Sequence, residues 1–500
     1  MPVDPLLNAP APHGLGVDPE CAAAADASGP PDLDPLHYLN LGKGGRLSGG
    51  GFYSSTLETV KGQVAVLAQG TDVFLYLHGG LNGERQAGAD AKLILNWQAA
   101  TLKMPSVCVI WETRPWILRV FDNLGENDDK KETEGGLRLP KKLKNQAFVC
   151  EQTLRTHLHV PIGEAIPLKA VAALWKGEPP PLAQFGDEDL EGEGESGDRE
   201  TDGGGGPSPE LRAVFRSVAR RQGVFGKRRA RAWEALIQTV WRVHAGLHHG
   251  LWATVIEEVL RVSRLRRLAV KAWKEMMDKA AGAYRENPPQ DDPDEPYGGS
   301  YFLDALNAGR AGVGGPPLRL HVWGQSAGAV HAAHLVSHVA EHCDHLRVET
   351  LILTNAGVRF DVFDVLVLPH LPVIGRVVML GLGTQTEAED TLCTKDPEGY
   401  PSSLLTMVSG LLEDEADAAL MGLQRMYDGE SARCSEDPVT EVITALTAMG
   451  PARFVQAWSP GGGLTFKSHG GPCGPIEDAS VRSLLVQLLS PAVQVDGPQS

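Results

Sequence analysis

Residues Leu318–His331, L-R-L-H-V-W-G-Q-S-A-G-A-V-H, leave the chain few choices of local structure. A short apolar strand, with Leu318, Leu320, Val322 and Trp323 buried, runs directly into G-x-S-x-G. Helical periodicity starts at once and continues over Ala327–Val339. A turn that converts strand to helix so abruptly has room only for small side chains, and Gly324, Ala327 and Gly328 supply them around Ser326. Such a turn lifts the Ser326 hydroxyl to the top of a sheet, where the helix start favours negative charge. An ordinary glycine-rich turn is the plain alternative for the motif alone.

Strand and helix alternate on both sides of a long interruption. Before it, short strands are expected at His37–Leu41 and Gly51–Ser54. A helix follows at Thr56–Leu67 and a buried strand at Asp72–Leu77, which ends in His78-Gly79-Gly80. A helix at Arg85–Leu102 and a second buried strand at Ser106–Trp111 complete this half. After the interruption, a helix at Tyr301–Ala308 feeds the Ser326 strand. Strands are expected at Glu349–Thr354, within Ser403–Leu412 and at Ala452–Ser459, with helices at Thr440–Met449 and Val481–Leu489. This order predicts an α/β fold with a mostly parallel sheet and crossover helices.

Residues 1–35, rich in Pro, Ala, Gly and Asp, read as a disordered tail, and 491–500 as a second one. The sheet core is assigned to 36–121 and 297–490. Between them, 122–296 is a charged, mainly helical insertion containing a solvated acidic linker at 186–205.

A formal net charge of −17 argues against binding nucleic acid over the general surface, and 42% apolar residues suffice for a sizeable core. Seven scattered cysteines without C-x-x-C spacing fit reduced thiols, and with no visible secretory signal the expected location is cytoplasmic. The most apolar stretch, Val362–Leu382, is broken by Pro369, His370, Pro372 and Arg376, which favours a buried loop–helix segment over a membrane span.

Serine needs a base to take its proton and donors to hold an oxyanion. His469, in the glycine-flanked segment L-T-F-K-S-H-G-G after the last strand, is the candidate base; a surface histidine is the alternative. Backbone N–H groups around Gly79, Gly80 and Leu81, and that of Ala327, are the candidate oxyanion donors, with Gln325 beside them. Glu413 and Asp414, expected at the end of a strand, are the candidate acids that would orient the imidazole. Asp417, Asp361 and Asp364 compete for that role, and a helix-terminal charge cluster would also account for Glu413 and Asp414.

On these residues the chain resembles the α/β-hydrolases, and within them an uncharacterised bacterial group with four shared segments. These are a strand ending in H-G-G (His78–Gly80), W-E-T (Trp111–Thr113), an elbow (Gly324–Gly328) and a late S-H-G-G (Ser468–Gly471). The resemblance covers about residues 36–120 and 300–490. It implies an eight-stranded sheet and a Ser, acid, His order along the chain, which Ser326, Glu413 or Asp414, and His469 obey. Gln325 stands where a histidine commonly precedes the serine. The insertion also comes earlier than lids of that fold usually do.

Two features lie outside this scheme. His331, His334, His338, His342 and His345 recur at steps of 3, 4, 4 and 3. At ~100° per residue they form a stripe about 80° wide, read as a polar stripe beside the apolar face of the helix; the i, i+4 spacing also suits a metal, but no acidic or cysteine partner motif accompanies it. The Arg- and Lys-rich segment Arg212–Lys279 carries Trp233, Trp241, Leu251, Trp252 and Trp273, and reads as an amphipathic cap whose arginines meet water or the acidic tract, with contact to nucleic acid or an acidic membrane as the alternative. Glu112, next to Trp111, would line the pocket or bond to a neighbouring loop.

The expectation is a serine hydrolase acting on an ester or lipid-like acyl substrate, without metal or organic cofactor, nucleic-acid partner or membrane span. A catalytically degenerate binding scaffold and an acyltransferase with the same triad are the alternatives.

Overall fold

Seven parallel strands form the centre of the described structure, in the order β1-β3-β2-β4-β5-β6-β7. They are β1 (Tyr38–Leu41), β2 (Asp72–Leu77), β3 (Ser106–Trp111), β4 (Leu318–Gln325), β5 (Leu346–Thr354), β6 (Arg376–Leu382) and β7 (Phe454–Ser459). The computed structural model describes residues 31–80, 83–111, 227–262, 264–287, 295–390, 400 and 402–490. The expected tails over 1–30 and 491–500, the acidic linker 186–205, the rest of 112–226, Leu81 and Glu112 lie outside these residues.

The strands are continuous apolar runs because both faces of the sheet are covered. On one face Phe74, Tyr76, Cys108, Ile110, Trp323, Ile352, Val378 and Leu380 join Ala87, Ala91, Ile94 and Trp97 of helix α2 (Glu84–Ala100). The alternate residues Val73, Leu75, Val107, Val109, Leu320 and Val322 are equally buried. Trp323 lies edge-on to Phe74, Tyr76 and Trp97, with ring centroids 5.4–6.4 Å apart. Helix α1 (Leu57–Leu67), opened by a Thr56–Thr59 capping box, packs against α3 (Gly298–Val313). Helix α4 (Gly328–His342) packs on β4 and β5, and α5 (Phe360–Leu366) beside α4. Helix α6 (Ala479–Leu489), capped by Asp478, adds Val481, Leu485 and Leu489 to the core.

Four expectations need correction. Seven strands are found among the described residues, where eight were expected. The segment Val362–Leu382 is one long loop–helix only in its first half: α5 is followed by a proline turn and then by β6, whose R-V-V-M-L-G-L run is almost wholly buried. Ser403–Leu412 is helical, an α-turn at Leu404–Met407 continued by a π-helical turn at Val408–Leu412. There the Ser403 hydroxyl accepts the Thr406 N–H as an N-cap, and every residue of Leu405–Leu412 is buried, so no amphipathic rhythm marks the helix. The stretch Gly51–Ser54 is likewise a loop, tied to α2 by the Phe52 N–H donating to Glu84 (2.9 Å).

The chain divides into two units. One comprises Met1–Arg114, Met276–Gly383 and Glu441–Ser500 and holds the sheet; the other comprises Pro115–Glu275 and Thr384–Thr440. The second unit therefore takes in residues 384–440, which the sequence reading had left within the core.

In that second unit the helices Lys227–His244 and Leu251–Arg261 pack against each other. Their basic character is not all turned to water, as expected of a cap. Arg242 is buried between Glu257 (2.7 Å) and Glu258 (2.9 Å). His249 bridges Glu257 (3.0 Å) and Asp417 (2.9 Å), and Asp417 also accepts from Ser431 (2.6 Å) and pairs with Arg425 (3.2 Å). Burial alone would raise the carboxyl of Glu257, but Arg242 and His249 hold it down to about 2. No helix among the described residues is long and apolar enough to cross a membrane.

Candidate active site

The connections out of β2 and β4 leave in opposite directions, β2 towards β3 and β4 towards β5, although the two strands are neighbours. This is a topological switch point, and the crevice beyond the carboxyl ends of such strands is where open α/β sheets bind ligands. Here the two ends carry His78-Gly79-Gly80 and Ser326-Ala327-Gly328.

Ser326 has φ +50°, a left-handed conformation that a residue with a side chain adopts only under constraint. Three backbone hydrogen bonds impose it. The Ser326 N–H donates to Thr354 O (2.8 Å), and Ser326 O accepts from Gly357 N (2.9 Å) and Ala329 N (3.0 Å). Helix α4 starts against the end of β2, so close that a Cβ on Gly328 would lie 2.1 Å from Leu77 O. A Cβ on Gly79 would stand 3.2 Å from the Cβ of Ser326, and one on Gly80 would stand 3.1 Å from the Cβ of Ala327. The glycines expected as oxyanion donors thus lie directly against the serine and the residue after it.

His78 fixes this loop. Its Nε2 accepts the Trp111 N–H (3.1 Å), its Nδ1 meets Gly79 O (2.6 Å), and the Trp111 indole donates to His78 O (3.1 Å). Burial pushes the imidazole down to about 4, so it is neutral. Because Nε2 accepts, the proton sits on Nδ1 and is donated to Gly79.

Gln325 has a different place from the one expected. Its Oε1 accepts the Tyr76 hydroxyl (2.6 Å) and its Nε2 donates to the carbonyl of His469 (3.1 Å). The side chain is a link from β2 to the loop between β7 and α6. Through it the backbone of His469, a buried residue, is hydrogen-bonded to the neighbour of Ser326.

The structure therefore brings Gly79, Gly80, Gln325, Ser326, Ala327 and the His469 loop to one end of the sheet. Leu81 is outside the described residues. Glu413 and Asp414 belong to the other unit and follow a π-helical turn, so the strand end that recommended them is absent. Glu413 accepts the Trp273 indole N–H (2.6 Å), and Asp414 pairs with Lys274 (2.7 Å). Asp417 is held in the buried network described above, and Asp361 is doubly bonded to Arg359.

Asn355 was not anticipated. It follows β5 with φ +46° and is fully buried, and neither its amide oxygen nor its amide nitrogen has a hydrogen-bond partner among the described residues. The T-N-A-G turn after an apolar strand was the one sign of it in the sequence. The histidine stripe of α4 is divided among separate surroundings. His331 is buried edge-on to Trp111 and Tyr284, with neither ring nitrogen hydrogen-bonded among the described residues, and burial keeps it neutral. Burial also pushes His334 down to about 4, and His338 bonds Asp304 (2.9 Å).

In comparisons with known proteins the chain matches no family model, no curated protein and no solved structure.

Proposed function

We propose that the protein is a serine hydrolase of the α/β-hydrolase type, acting on an ester or lipid-like acyl substrate. The observation that carries this reading is the left-handed Ser326 at the switch-point end of β4, packed against His78-Gly79-Gly80. In the first half-reaction the Ser326 Oγ bonds to the acyl carbon. His469 takes the hydroxyl proton and returns it to the leaving alcohol as the ester C–O bond breaks. Backbone N–H groups at Ala327 and near Gly80 hold the oxyanion, each worth roughly 3 kcal/mol in the transition state. Water then attacks the acyl-enzyme, with His469 again moving the proton. This chemistry calls on neither a metal nor an organic cofactor.

A fluorophosphonate probe tests the reading on the full chain. Wild type is expected to be labelled at Ser326, Ser326→Ala not at all, and His469→Gln at least about 100-fold more slowly. Absence of labelling in folded wild type, or labelling of another serine, overturns the proposal and favours a binding scaffold. Product analysis with water and alcohol acceptors then separates hydrolase from acyltransferase.

A further inference from the structure

At the far end of α4 from Ser326, three side chains of different chemistry converge. They are Asp304 from the middle of α3, His338 from the last turns of α4, and Cys343, which ends α4 as its C-cap. One donor atom from each lies within 4.8 Å of the other two, and the His338 Nε2 already stands 2.9 Å from Asp304 Oδ1. Cys343 is a free thiol, and both it and His338 are buried, whereas the Asp304 carboxylate is half-exposed and opens the cluster to solvent.

We propose that Asp304, His338 and Cys343 bind a divalent cation of the zinc class, with His342 as the fourth donor. Thiolate, imidazole and carboxylate together suit zinc; calcium and magnesium take oxygen donors. Ligands about 2.0–2.3 Å from a tetrahedral zinc stand roughly 3.2–3.8 Å apart. The donors stand within 4.8 Å of one another, so binding would draw them together by no more than roughly 1–1.6 Å. His342 is one helical turn beyond His338, with ring centroids 4.8 Å apart, and is partly exposed, so it can turn onto the metal from the open side. The backbone around the cluster is already set. The N–H of His345 donates to Asn307 on α3 (2.8 Å), one turn from Asp304, and the N–H of Cys343 donates to Val339 O (3.1 Å).

The site is structural. Cys343 follows Ser326 by seventeen residues, most of them helical, which at about 1.5 Å per residue puts the cluster roughly 25 Å from the serine. A bound ion would pin α3 to the end of α4. Binding would replace the thiol proton by the metal, releasing one proton to solvent.

The test uses the purified full chain, stripped with a chelator and titrated separately with zinc and with cobalt(II). One equivalent of zinc is expected to raise the thermal midpoint, and cobalt(II) to give the thiolate charge-transfer band of a tetrahedral site. Asp304→Asn, conservative and half-exposed, should weaken zinc binding at least about 10-fold. His338→Gln should weaken it at least about 100-fold, and Cys343→Ser should abolish the cobalt band. A folded wild type that shows neither zinc binding nor the band overturns the proposal. So does binding that persists unchanged in all three variants, because the ion then sits elsewhere.

Discussion

The left-handed Ser326 makes a prediction about stability that is independent of catalysis. Holding a residue with a Cβ in that conformation costs about 1–2 kcal/mol, whereas glycine adopts it without penalty. Glycine in turn gives up about 0.5–1 kcal/mol through the greater freedom of its unfolded chain. Comparing Ser326→Gly with Ser326→Ala isolates the backbone term, since neither variant keeps the hydroxyl and both retain the three backbone hydrogen bonds to Thr354, Gly357 and Ala329. The balance favours Ser326→Gly by up to about 1.5 kcal/mol, and by roughly 0.75 kcal/mol at the centre of the two ranges. Urea unfolding of the two variants at one pH, with matched slopes, would read it as a higher midpoint for the glycine variant. Equal midpoints, or a lower one for glycine, would show that the turn at Ser326 stores no strain and that the elbow geometry is wrong.

Two further predictions concern burial of charge. His78 and His334 are both held down to about 4 by burial, against 6.5 for an exposed imidazole. The unfolded chain therefore takes up protons below about pH 6.5 that the folded chain refuses, so stability is complete above that pH and falls as the pH drops towards 4. Each histidine contributes a slope of up to about 1.4 kcal/mol per pH unit. Urea midpoints measured between about pH 8 and pH 5 should decline accordingly, with a shallower decline in His334→Gln; a flat profile through pH 6 refutes the assignment. In the second unit, Arg242→Met leaves Glu257 and Glu258 buried without their guanidinium and should cost about 3–5 kcal/mol. The double variant Arg242→Met/Glu257→Gln should recover part of that loss, and a single-variant cost below about 1 kcal/mol would mean water already solvates the pair.

Much of the fold was legible because its strands are buried on both sides. The runs D-V-F-L-Y-L and S-V-C-V-I-W coincide with β2 and β3 residue for residue. Where a helix was expected as a strand, the cause is burial that erases periodicity. Residues 405–412 are all buried, so nothing in the run distinguishes a strand from a buried helix; only Ser403 in the capping position marks the helix. In Val362–Leu382 the half-buried α5 and the buried β6 follow one another across Pro369, Pro372 and Gly375, and their summed length hid the V-V-M-L core of β6.

At the site, smallness was legible and partnership was not. Gly324, Ala327 and Gly328 announce a close approach in the sequence itself, and the end of β2 is what they approach. His78 was read as part of a glycine turn, yet its neutral ring holds that turn to β3 through contacts 33 residues away. Cys343 stands beside His342 in the sequence, but Asp304 gave no sign of joining the stripe, because it lies on a different helix, 34 residues before His338.

Gln325 shows how a departure from a familiar pattern can preserve its physics. A neutral imidazole offers one donor and one acceptor, and so does one face of a carboxamide. At Gln325 the acceptor takes the Tyr76 hydroxyl and the donor reaches the carbonyl of His469. Both contacts are buried, so losing either leaves an unsatisfied polar group at a cost of about 1–3 kcal/mol. A leucine of similar size would remove the contacts to the Tyr76 hydroxyl and the His469 carbonyl together. The residue before the serine is therefore constrained by the strand beside it and by the loop above it. Either an amide or an imidazole meets that requirement, while an apolar side chain does not.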